Sequence, residues 1–142
     1  MELWELQVRE AVRDTIARYL HGGDRARLDE LASTFAVDGE LLIDDEPPVR
    51  GRAAIVERLS SVPAAPGSDG TRLLHHHVSS VRFLSVTREK VEAASYFLAV
   101  TERGPDHWGR YRDVLVPDGD AWVFARRTVT VSGSAPESRF AR

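Results

Sequence analysis

The chain has 142 residues, 42% of them hydrophobic and 29% charged, and a net charge of -3 at pH 7. That length fits one domain with one core, and the interspersed acids and bases give no electrostatic footprint for nucleic acid or an anionic membrane. The absence of cysteine excludes disulfides, thiolate nucleophiles and thiolate zinc sites, so any base or nucleophile is oxygen or nitrogen.

From Glu2 to Leu20 the apolar residues Val8, Val12, Ile16 and Leu20 recur every four positions, which predicts a helix buried on one face. Gly22 and Gly23 are expected to end it, and Asp24 to cap a second helix in which Leu28, Leu31, Ala32 and Phe35 share a face. Asp38-Gly39 is a turn signal, Glu40 to Asp44 a short strand that Pro47-Pro48 cuts off, and Arg52 to Leu59 a third short helix. Ser60 to Gly70, rich in proline, glycine and serine, is expected to be a mobile surface loop suited to act as a lid.

Beyond that loop the pattern becomes extended: Thr71 to Val86, Lys90 to Arg103, His107 to Val116 and Ala121 to Val131. The connections Thr87-Arg88-Glu89, Gly104-Pro105-Asp106 and Pro117-Asp118-Gly119-Asp120 have hairpin length and turn chemistry, so an antiparallel meander is expected. Each segment exceeds the usual ~5–6 residues, as a strongly curved sheet requires. Residues 1–131 are read as one domain, and Ser132 to Arg142 as a loosely ordered tail or a subunit contact. No apolar run approaches the ~20 residues that span a bilayer, and Met1 is followed by Glu2 rather than a basic leader, so a soluble, cytoplasmic protein without membrane contact is expected.

The order helix, helix, strand, short helix and four long strands resembles the nuclear transport factor 2-like superfamily. The runs Ala17-Arg18-Tyr19-Leu20-His21-Gly22-Gly23-Asp24, Leu31-Ala32-Ser33-Thr34-Phe35-Ala36-Val37-Asp38-Gly39, His76-His77-Val78-Ser79-Ser80, Gly109-Arg110-Tyr111-Arg112-Asp113 and Trp122-Val123-Phe124-Ala125-Arg126-Arg127 are similar to its SnoaL-like branch. The resemblance implies an α+β cone, with N-terminal helices packed on a curved, mainly antiparallel sheet around an apolar pocket. The branch holds polyketide cyclases, scytalone and bile-acid dehydratases, steroid isomerases and binding-only proteins, so the fold leaves the function open.

In the dehydratases of that branch a tyrosine near the end of the first helix, an aspartate after it and a histidine on the first long strand converge, and Tyr19, Asp24 and His76 match those positions. His21 stands where the scytalone type has an acid, and Thr101 about where it has a second histidine or acid. An arginine-x-aspartate pair of the epoxide-hydrolase kind is absent, because Arg110-Tyr111-Arg112 breaks the spacing.

Read for themselves, the residues carry two meanings each. Strand alternation puts His76 on the face opposite His75 and His77, and an imidazole near pKa ~6.5 suits abstraction of a proton α to a carbonyl. His75 and His77 share a face but lack an evident third ligand, so no metal is expected. Asp24 reads both as a helix cap and as the carboxylate that orients His76. Tyr19 is a core aromatic or a proton donor; His21 a stand-in acid or a helix-end cation; Asp44 a solvated turn residue or a general base. Tyr111 and Asp113 share a strand face and would need a charged partner from Arg126 or Arg127 if buried. Phe97 belongs to the core or the pocket wall.

The expected function is a cofactor-independent dehydratase, isomerase or cyclase acting on a hydrophobic carbonyl compound such as a polyketide- or steroid-like ring. The alternatives are a non-catalytic binding member and an epoxide-opening enzyme using Asp44 or Asp113. A homodimer is expected, because four long strands cannot bury both faces against three helices.

Overall fold

The computed structural model describes residues 1–61, 73–138 and 140. Helix α1 spans Leu3–Asp24 and buries Val12, Thr15, Ile16, Tyr19 and Leu20, the face that the four-residue period marks. It does not stop at the glycine pair. Gly22 is helical because α2 (Leu28–Ser33) crosses close by: a Cβ there would lie 2.9 Å from the Leu31 backbone nitrogen. Asp24 is therefore the last residue of α1, and the position before α2 is Arg27, which makes no side-chain cap. The turn between them is carried by Ala26 at φ 56°.

Strand β1 spans Phe35–Ile43, so Phe35 opens a strand instead of closing a helix. Its helical spacing from Leu28 and Leu31 reflects a shared interior, and the backbone is captured when Phe124 N–H bonds Thr34 O at 2.8 Å. The two-residue β2 (Val49–Arg50) pairs with β1, and α3 spans Arg52–Ser60. The expected lid, Ser60 to Gly70, falls outside the described residues from residue 62 onward, as do residues 71 and 72 of the expected strand start.

The remaining strands are β3 (Leu74–Val86), β4 (Val91–Thr101), β5 (Gly104–Asp118) and β6 (Ala121–Ser134). They form one six-stranded sheet in the order β2-β1-β6-β5-β4-β3, antiparallel except where β1 runs parallel to β6. Two connections are shorter than expected: the β5–β6 turn is Gly119–Asp120, because Pro117 and Asp118 belong to β5, and the other lies between β4 and β5. The β4–β5 turn is Glu102–Arg103, and Gly104, at φ 102°, starts β5. Pro105 and Asp106 thus lie in the strand, where Ala99 pairs with His107 and Val100 with Pro105, leaving Asp106 as the extra residue of a bulge.

The inner face of the sheet packs Phe97, Tyr111, Leu115, Phe124 and Val129 against Val12, Ile16, Leu31, Phe35 and Ile55. β6 continues into the expected tail as far as Ser134, and Phe140 folds back to 5.3 Å from the His107 ring.

Candidate active site

A half-open cavity of about 220 Å³ lies between the helices and the sheet, walled by Tyr19, Leu31, His76, Phe97, His107 and Tyr111 among others. A groove of about 760 Å³ between α1 and β3 adjoins it, sharing Leu20, Leu74 and His76. Tyr19, His76, His107 and Tyr111 line the cavity, Asp24 lines the groove, and His76 stands at the boundary of the two.

Continuation of α1 through Asp24 brings that carboxylate to β3. Its Oδ2 accepts the His76 backbone N–H at 2.9 Å, and its Oδ1 lies 2.5 Å from His76 Nδ1. A carboxylate that accepts from Nδ1–H leaves the neutral imidazole with its lone pair on Nε2. Both side chains are mostly withdrawn from solvent, at 18% and 14% exposed. The cap reading of Asp24 is thus corrected: the carboxylate serves His76, and no helix starts there.

A second pair of the same kind lies across the sheet. His76 pairs with Ala99, and Ala99 with His107, so the two imidazoles share the inner face. Their rings stand edge to face at 5.8 Å. His107 Nδ1 lies 2.8 Å from Asp106 Oδ2. Burial lowers the His107 pKa below its ordinary value, His76 adds to the effect, and Asp106 opposes it. His107 and Asp106 escape the sequence reading because Gly104-Pro105-Asp106 has the composition of a turn; the signal available was a histidine directly after an aspartate at a strand start.

Tyr19 and Tyr111 form another wall, ring centroids 6.2 Å apart, with Phe97 stacked on Tyr111 at 4.7 Å. Burial raises both phenol pKa values despite the nearby Arg127, so both stay protonated donors. Beneath them Arg127, fully buried, packs its guanidinium against Tyr111 at 3.7 Å and Tyr19 at 4.2 Å. It binds Asp113 bidentately, Nε to Oδ1 at 2.8 Å and Nη2 to Oδ2 at 3.0 Å. Of the two arginines open as partners, Arg127 is the one used; Arg126 reaches Glu40. Burial works against the Arg127 charge, but Asp113 and the two tyrosines more than offset it and raise its pKa.

Several expected site residues lie elsewhere. Asp113 belongs to the buried ion pair and is not among the cavity walls. Asp44 turns the chain at φ 47° and accepts the Val131 N–H at 2.8 Å, which places it in the turn reading. Thr101 is buried at the end of β4, its Oγ1 accepting the Arg103 N–H at 3.2 Å. His21 lines the outer groove with His75 and His77. Phe97 is a cavity wall. Among the described residues no group of three or more histidines and carboxylates is placed to hold a metal ion.

A family model described as a SnoaL-like domain matches residues 4–128. No curated protein sequence matches the chain. Among solved structures, a Catenulispora acidiphila protein in complex with S-DNPA is 26% identical, with 87% of this chain and 92% of that one covered and a TM-score of 0.73. ActVI-ORFA from Streptomyces coelicolor is 21% identical over 87% of this chain and 96% of its own, TM-score 0.75. An NTF2-like protein with a cystatin-like fold from Novosphingobium aromaticivorans is 21% identical over 94% of this chain and 88% of its own, TM-score 0.76. The latter two likenesses concern the fold.

Proposed function

We propose that this chain, which belongs to the SnoaL-like domain family, is an acid-base enzyme that dehydrates, isomerises or cyclises a hydrophobic carbonyl compound without a cofactor. The observation that carries the reading is the His76 imidazole held through Nδ1 by Asp24 at 2.5 Å in the wall of an apolar cavity. In that state Nε2 is a base. It removes a proton α to the carbonyl, and the negative charge of Asp24 balances the imidazolium that results.

Tyr19 and Tyr111 line the same cavity as protonated phenols and supply hydrogen bonds to the developing enolate oxygen. In a dehydration, protonated His76 returns its proton to the departing hydroxyl, which leaves as water. Neutral His107, with Nε2 unprotonated, accepts a hydrogen bond from that hydroxyl beforehand and so orients it. The cavity of about 220 Å³ lies below the ~300–1,000 Å³ of drug-sized sites, which suits one or two rings at the reacting end. A longer substituent has room in the groove beyond His76. The relative solved with S-DNPA supports a ligand-bearing cone. The epoxide-opening reading draws no support, because Asp44 is engaged by the backbone of Val131 and Asp113 by Arg127.

The test begins with native mass spectrometry of the purified chain to identify a ligand retained from cell extract, followed by turnover assays on that compound. His76→Ala should retain binding and lose nearly all turnover. Full activity in His76→Ala would sink the mechanism.

A further inference from the structure

The second imidazole is tied to the end of the chain. Asp106 Oδ2 accepts from His107 Nδ1 at 2.8 Å and also from Ser138 Oγ at 2.6 Å. The Asp106 carbonyl accepts the Ala135 N–H at 2.7 Å, and Ser138 Oγ accepts the Phe140 N–H at 3.1 Å. Phe140 then lies 5.3 Å from the His107 ring and forms part of the cavity wall. The contacts close a loop from carboxylate to hydroxyl, to backbone, to phenyl ring, to imidazole and back to the carboxylate.

We propose that Asp106 is a positioning residue that couples the C-terminal segment to His107: one carboxylate oxygen both fixes the imidazole tautomer and holds the hydroxyl that seats Phe140 at the cavity. This rests on reading the cavity as the reactive site. Two donors on one oxygen restrict each other's direction, so loss of either frees the carboxylate to turn towards water. The Phe140 ring keeps water off the imidazole, and a carboxylate–imidazole bond is stronger when dry. A compound too large to fit beside Phe140 must displace the tail, and in doing so it loosens the bond that leaves His107 Nε2 as an acceptor. The wall that limits substrate size and the group that orients the substrate hydroxyl are thereby set together.

The test is imidazole nitrogen NMR on the isotope-labelled, full-length chain without added ligand, which reports the tautomer of each histidine. In the native chain His107 should be Nδ1-protonated, with its ring protons shifted by Phe140. Ser138→Ala should abolish that ring-current shift and mix the His107 tautomers, and Ser138→Thr, which keeps the hydroxyl, should restore both. Asp106→Asn should move His107 towards the Nε2-protonated form. His76 should keep its tautomer in all three variants, which shows that the fold and the first pair are intact. An Nε2-protonated His107 in the native chain, or His107 signals that ignore Ser138→Ala, would overturn the coupling. That outcome leaves the role of His76 standing, because the His76→Ala turnover assay reads a different residue.

Discussion

Asp24 accepts two hydrogen bonds from one residue, the backbone and the ring of His76. An Asp24→Asn substitution therefore addresses that clamp and no helix cap. The amide nitrogen can donate to Nδ1 and turn the imidazole into the wrong tautomer, so kcat should fall by about 10²-fold or more. A wild-type rate in Asp24→Asn would remove the carboxylate from the mechanism. His107 gives a pH signature of its own. Its folded pKa is lowered, chiefly by burial, so the unfolded chain binds more protons between that value and ~6.5. The stability it contributes is fully present above pH ~6.5 and is lost as pH falls through the folded value. Melting temperature measured from pH ~8 downward should drop more steeply in the native chain than in His107→Gln; equal slopes would refute the assignment. At this scale strand alternation separates His76 from His75 and His77, but it is the resemblance to the SnoaL-like branch, and not the period, that points to Tyr19, His76 and Tyr111. His107 could not be read, since whether Gly104-Pro105-Asp106 turns or bulges depends on the register between β4 and β5, and that is a tertiary property.

Gly22 shows how an element boundary is decided by its neighbour. Two consecutive glycines signal a helix end when local propensity rules. Here α2 packs so close that only glycine fits, and α1 keeps its ladder to Asp24. In an open helix a glycine-to-alanine change stabilises by roughly 1 kcal/mol. At Gly22 the added methyl meets the Leu31 backbone at 2.9 Å, and we expect destabilisation of about 1–3 kcal/mol in chemical denaturation. A Gly22→Ala variant more stable than the native chain would contradict this packing. The same kind of tertiary override turns Phe35 from helix to strand, through the parallel pairing with β6 that no local pattern announces. By contrast α3 and the long strands β3, β4 and β6 were legible within a few residues, because β-branched and aromatic runs between short polar turns leave little choice.

The whole molecule follows from those long strands curling over the helices, and the family match over residues 4–128 agrees with the cone expected from their order. What covers the outer sheet face is not written in the order of elements. Tyr96 and Trp108 lie on that face, 59% and 39% exposed, so we propose that it is the contact of a homodimer. Light scattering should give twice the chain mass, and a monomer at high micromolar concentration would contradict it. The central claim is that His76 removes a proton α to a carbonyl from a compound held in the cavity between the helices and the sheet. The most direct measurement is the exchange of α-hydrogens of a two-ring ketone, β-tetralone, in deuterated water, followed by NMR. The native chain should accelerate exchange well above buffer and His76→Ala should lose nearly all of that acceleration; no acceleration by the native chain, or equal acceleration by the variant, would contradict the account.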